Sequence, residues 1–158
     1  MGAALFYHIT RSPTEEVVAS LLSRAVAQGW RVELRGVTPE YLDMLDQRLW
    51  LGAEEGFLPH GRAGGPHDAL QPVLIGTGPG PAANDPQALM TVQSAPLTPD
   101  EIAARERVWI LFDGNDPAAL EAARAQWRGL TAAGVAAQYW SEESGRWEKK
   151  AENQAATV

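Results

Sequence analysis

The chain has no cysteine, which removes disulfides, thiolate metal sites and a cysteine nucleophile. It is also short of positive charge. Thirteen Lys and Arg against twenty Asp and Glu leave a formal charge of −7 over 158 residues. Contact with phosphates over a broad face needs a basic surface, so no direct binding of nucleic acid is expected. No stretch approaches the roughly 18 consecutive apolar residues of a membrane span. The opening MGAALFYHIT carries no basic leader and reads as running into a strand, so neither a signal peptide nor a membrane partner is expected. The expected location is cytoplasmic. Several signatures of chemistry are missing as well. No G-x-G-x-x-G follows the first apolar run, where HITRSPTE leads into a helix pattern instead. No serine sits in a G-x-S-x-G elbow.

What is present suits a soluble globular chain. Apolar residues make up 45% and charged residues 21%, and 158 residues are enough for one domain with an ordinary core. Helix starts are marked four times by a capping residue followed by proline: SPTE at 12–15, TPEY at 38–41, TPDE at 98–101 and DPAA at 116–119. After the first, Val17, Val18, Leu21, Leu22, Ala25 and Val26 recur at the spacing of one helix face and stop at Gly29. Strand candidates are ALFYHI (4–9), RVELRG (31–36), PVLIG (72–76), ALMTV (88–92) and VAAQYW (135–140). The alternation predicts an α/β fold: a three-layer, Rossmann-like sandwich with a mostly parallel five-stranded sheet and four helices. The expected division is a single α/β domain over 1–141 and a polar tail over 142–158, in which Trp147 is a candidate for docking.

Catalytic sets do not assemble. The GTGPGP loop at 76–81 has glycines, but a phosphate cradle must deliver its amides into a helix, and here prolines and a strand follow. His60, His67 and Asp68 match no metal-ligand spacing and lack a third confident ligand. His8 reads as an interior or strand-end side chain. The acidic pairs Glu15–Glu16, Glu54–Glu55 and Glu142–Glu143 are adjacent, so on a helix their side chains diverge. No catalytic residue, cofactor or metal is expected.

Two segments point instead to recognition. The stretch 48–65, RLWLGAEEGFLPHGRAGG, is long for a connection and loaded with Trp50, Leu51, Phe57, Leu58 and Pro59. It reads equally as an exposed interface or as a satellite core folded over the helical layer. On the helix starting at Pro117, Arg124 and Arg128 stand at i and i+4 with Trp127 beside them, while Ala119, Leu120, Ala123, Leu130 and Ala133 form a packing stripe. A guanidinium pair grips carboxylates bidentately, and a tryptophan at its side can wall an apolar pocket. The competing readings are that Arg124 pairs with Glu121 or another local carboxylate and that Trp127 belongs to the core.

FYH in the first strand, LW followed by GFLPHGRAGG, QPVLI, and LFDGNDPAALEAARAQWRGLTAAG running into YW together resemble the chi subunit of bacterial DNA polymerase III over about residues 4–140. The resemblance implies a non-catalytic accessory subunit of the clamp-loader assembly. It implies binding of the acidic, phenylalanine-ended C-terminal tail of single-stranded DNA-binding protein at Arg124, Trp127 and Arg128. It also implies a second partner, the psi subunit or another clamp-loader component, at Trp50, Phe57, Pro59 and His60. The departures are Leu120, where the family can place a further lysine, the acidic DGND at 113–116 before the helix, and the 142–158 extension outside the family core, whose Arg146, Lys149 and Lys150 are candidates for added positive charge near the pocket. The rival readings are a small α/β nucleotide-binding domain or enzyme, and self-association through the 50–60 loop.

Overall fold

The computed structural model describes residues 3–51, 60–78 and 82–153. Their order is β1 (Ala4–Ile9), α1 (Thr14–Ala27), β2 (Val32–Arg35), α2 (Pro39–Leu51), β3 (His60–Arg62), a 3-10 turn (Asp68–Leu70), β4 (Val73–Gly76), β5 (Ala88–Thr91), α3 (Pro99–Ala103), β6 (Arg107–Asp113), α4 (Pro117–Ala132), β7 (Ala137–Ser141) and β8 (Glu148–Asn153). The strands form one sheet ordered β3-β4-β2-β5-β6-β1-β7-β8. Every neighbouring pair is parallel except β7 and β8, which run antiparallel at the edge.

The two faces of the sheet are covered by different helices, as right-handed parallel crossovers require. On one face α1 (Val18, Leu21, Leu22, Ala25) and α2 (Leu42, Leu45, Leu49) pack over Leu34, Ile75, Met90, Trp109 and Leu111. On the other, α3 contributes Ile102 and α4 contributes Ala123 and Leu130 over Phe6, Leu89, Val108, Ile110 and Phe112. Strand β6 shows the sorting residue by residue. Trp109 and Leu111 face α1 and α2, while Val108, Ile110 and Phe112 face α3 and α4. Each fully buried aliphatic side chain contributes on the order of 1.5–3 kcal/mol.

The α/β sandwich with four helices stands, but the sheet has eight strands among the described residues rather than five. The additional strands are β3, β6 and β8. RVWILFD carries no alternation because a central parallel strand is buried on both faces, and so it does not read as a period-2 pattern. HGR is only three residues long and contains a glycine. EKKAEN, within the stretch read as a polar tail, is an edge strand with four of its six residues exposed. Helix α3 is therefore followed by β6, not by another helix. Trp147 does dock, its ring 5.0 Å from that of Tyr7.

Helix starts divide in the same way. Thr98 and Glu101 form a full capping box, and Asp116 Oδ1 accepts from the Ala118 amide at 3.0 Å with Pro117 behind it. Ser12 does not cap α1, which begins one residue later with Pro13 at its N-cap and no side-chain cap bond. Its hydroxyl donates instead to Glu142 Oε2 at 3.0 Å. At α2 the Gln93 carboxamide holds the entry: Oε1 accepts from the Val37 and Thr38 amides, and Nε2 donates to the Thr38 hydroxyl. Helix α4 is stopped by Gly134, which follows the Ala133 C-cap; its φ of +87° suits glycine and lets the Val135 amide return to the Leu130 carbonyl.

Candidate functional site

Helix α4 crosses from β6 to β7 and lays Ala123 and Leu130 against the sheet. The neighbouring face then carries Arg124, Trp127 and Arg128 towards the β7–β8 edge. There they line a cleft of about 430 Å³ with His8, Tyr139, Ser141, Glu143, Lys150 and Ala151. Trp127 is half-buried and takes part in both proposed roles. Its ring meets Phe6 edge-on at 5.4 Å and Tyr139 at 5.9 Å, so it is packed on the core while walling the cleft. Arg124 and Arg128 are exposed. Arg124 forms no ion pair among the described residues, and Arg128 reaches Glu121 Oε1 only at 3.8 Å, with both side chains about two-thirds exposed. The pairing of Arg124 with Glu121 considered from the sequence is not formed.

The floor of the cleft is an aromatic and imidazole cluster. His8, 6% exposed, stacks on Phe112 at 5.3 Å, and its Nδ1 lies 3.2 Å from the Tyr139 hydroxyl and 3.5 Å from Glu143 Oε1. A Cβ at Gly114 would overlap the His8 ring, so this glycine permits the ring's position. Burial pushes the Tyr139 hydroxyl pKa up; the Arg124 charge acts against that and the Glu143 charge with it. The hydroxyl is therefore a neutral donor at physiological pH. The cleft offers guanidinium donors, an ammonium and aromatic walls, a set suited to a carboxylate-bearing ligand with an apolar side chain.

The usual ligand position of such folds, the turn after β1, is filled from within. Amides of Thr10, Arg11 and Ser12 all donate to Glu142 Oε1, at 3.1, 2.8 and 2.7 Å. These are the groups that would cradle a phosphate at a helix start. Burial would push the Glu142 carboxyl up, but the Ser12, Arg11 and Thr10 donors together hold it below the usual carboxylate range. The crevice beside it, at the strand ends, is lined by Glu15, Asp113 and Asp116, a poor setting for an anion.

Of the residues that the resemblance assigns to a second partner, Trp50 and His60 lie at the opposite edge. Trp50 is 48% exposed and adjoins Leu51 at 85%, while its ring lies 4.2 Å from that of His60. His60 is buried, with Nε2 3.1 Å from the Asp46 carbonyl oxygen. Phe57 and Pro59 lie outside the described residues. Asp68 accepts the Gly64 and Gly65 amides. Among the described residues, no group of three or more His, Asp or Glu side chains is gathered to hold a metal, and no helix is long and apolar enough to cross a membrane.

A family model described as DNA polymerase III chi subunit, HolC, matches residues 1–138. The chain belongs to that family. The match covers β1 through β7 as far as Gln138 and includes α4, but β8 falls beyond it. A search of curated proteins finds no match to the chain. Membership of the chi family supports an accessory role in replication, associated with the clamp-loader assembly of DNA polymerase III.

Sequence reasoning reaches the helical half of the cleft and, on the other half, names only Lys150, together with Arg146 and Lys149, as charge near the pocket. His8, Tyr139, Ser141 and Glu143 were not singled out for it, because they reach the site through strand pairing. The pattern FYH aligned across β1 from YWS was the available signal: His8 pairs with Ser141 in the register of β1 and β7.

Proposed function

We propose that this chi-family chain is a non-catalytic adaptor whose α4–β7 cleft takes the acidic C-terminal tail of single-stranded DNA-binding protein. The observation that carries the reading is the exposed Arg124–Arg128 pair beside the Trp127–Tyr139 wall, on a protein of net charge −7. Carboxylates of the tail pair with the guanidinium groups, and the terminal phenylalanine lies against the aromatic wall. The acidic body discourages direct contact with DNA, leaving the peptide as the link to coated single strands. The internal plugging of the β1 turn by Glu142 argues against the nucleotide-binding alternative.

The test is fluorescence anisotropy with a labelled acidic peptide ending in phenylalanine. Wild type binds saturably and more weakly as salt rises. Arg124→Ala and Arg128→Ala each cost on the order of 1–3 kcal/mol of binding, and the double variant loses it. Absence of wild-type binding at high micromolar protein overturns the reading.

The Trp50 edge, with its exposed Trp50 and Leu51, is the proposed surface for a second clamp-loader component such as the psi subunit. Light scattering of the isolated chain separates this from self-association. A monomer whose Trp50→Ala variant fails to recruit the psi partner supports it, and a dimer dissolved by the same substitution replaces it.

A further inference from the structure

Strand β8 lies beyond the residues that match the family, yet two of its side chains, Lys150 and Ala151, line the Arg124–Arg128 cleft. Successive residues of a regular strand point to opposite faces of the sheet, so both cannot do so in an unbroken ladder. The pairing explains how they do. Tyr139 pairs with Ala151, but its neighbour Trp140 pairs with Lys149, so β8 advances two residues where β7 advances one. Lys150 is the extra residue of a β-bulge, the irregularity that re-aims a side chain and is common beside binding sites.

The side-chain contacts break parity at the same point. Lys149 and Glu152 form an ion pair at 3.2 Å, and Glu152 also accepts from Gln138 Nε2 at 3.0 Å. Residues three apart share a face only if one residue between them is out of register. Lys149 and Glu152 therefore turn away with Gln138, while Lys150 and Ala151 turn together with Tyr139 towards α4. Lys150 Nζ has Glu148 Oε2 at 3.4 Å, and the side chain is 47% exposed.

We propose that Lys150 is the third cation of the cleft, placed there by the bulge, and that β8 adds a charged subsite facing α4 across the bound peptide. This rests on the acidic-peptide reading of the cleft. Without Lys150 the cations of the cleft, Arg124 and Arg128, would stand on the α4 wall alone. Lys150 lets the acidic residues of one peptide be held from both sides. Glu143, which faces His8 at 3.5 Å, is the carboxylate on the same wall that an acidic ligand must pass. A cation next to it offsets that repulsion. The rims carry two more carboxylates, Glu121 by Arg128 and Glu148 by Lys150, so the cleft is locally balanced until an anionic peptide competes for its cations.

Lys149 supplies the control: the same charge, one residue away, on the other face of β8. The probe is a labelled acidic peptide ending in phenylalanine, titrated at two salt concentrations against wild type, Lys150→Ala, Lys150→Glu, Lys149→Ala and the Arg124→Ala/Arg128→Ala double variant. Lys150→Ala is expected to weaken binding about threefold to tenfold and to flatten its salt dependence, Lys150→Glu to weaken it more, and Lys149→Ala to stay within about twofold. Equal effects of the two lysine substitutions, or none from either while the arginine variant abolishes binding, overturn the Lys150 subsite and leave the arginine cleft standing. No wild-type binding overturns the cleft reading, and the subsite with it. Circular dichroism of each variant identifies a loss due to unfolding, and in that case Lys150→Gln, which keeps the aliphatic stem, decides the question.

Discussion

Arg35 on β2 is 1% exposed and surrounded by acceptors: its guanidinium meets the Glu33 carboxylate at 2.9 Å, the Pro96 carbonyl at 3.1 Å and the Glu101 carboxylate. Arg124 and Arg128 on α4 stand in water beside a cleft, with one distant carboxylate between them. The side chain is the same and the environments are opposite. Every donor that Arg35 directs at a carboxylate is committed within the chain, and the attraction is bound to the fold through α3 and the sheet. The α4 pair gains little from the fold, because exposed ion pairs contribute about 0–1 kcal/mol. What an arginine has not spent on its own protein is available to another molecule. The contrast predicts that substitutions at the two places separate stability from binding.

The largest effect is expected at Arg35. Replacing it by alanine strands the buried Glu33 carboxylate and removes the first cause of the low Glu101 pKa, its hydrogen bond with Arg35. Removing one partner of a buried pair costs roughly 3–5 kcal/mol. Urea denaturation should show this loss, while the fraction that remains folded binds acidic peptide with unchanged affinity. A stability change below about 1 kcal/mol would show that the network is not the internal sink described here.

Glu142 is the acidic counterpart of Arg35, with its carboxylate committed to Thr10, Arg11 and Ser12. Its folded pKa lies below the ordinary value of 4.5. The stabilisation is therefore complete above that ordinary value and is lost as pH falls through the lowered one. Glu142→Gln removes the charge and should cost about 2 kcal/mol at neutral pH. The gap between variant and wild type should then narrow as pH drops below 4.5. A gap independent of pH would mean that packing, not charge, holds the β1 turn.

These two networks also mark where the sequence is legible. The caps at Thr98 and Asp116 were readable because each side chain bonds amides in its own helix. Ser12 looked the same but bonds a carboxylate 130 positions away, which no local pattern reveals. Strands with flanking turn residues were readable. The RVWILFD run of β6 was not, since burial on both faces erases the period of two. The cleft divides along the same line: Arg124, Trp127 and Arg128 follow from helical spacing, whereas Tyr139, Glu143 and Lys150 arrive through strand pairing and a register shift.

The smallest effect sharpens the comparison most. Glu121 lies 3.8 Å from Arg128, with the two side chains 69% and 65% exposed. If that pair were structural, Glu121→Gln would destabilise the chain and leave binding alone. If Arg128 is held for a ligand, Glu121 is a weak competitor for its guanidinium. The substitution should then alter stability by less than about 0.5 kcal/mol. It should also tighten acidic-peptide binding by about twofold at low salt, because one like charge leaves the rim. The gain should fade as salt rises, since both groups are solvated and screened. Thermal denaturation and peptide titration on the same samples read the two quantities together. Weaker binding in Glu121→Gln would show that Glu121 orients Arg128 for the ligand rather than competing for it, and the α4 arginines would then resemble Arg35 more closely than their exposure suggests.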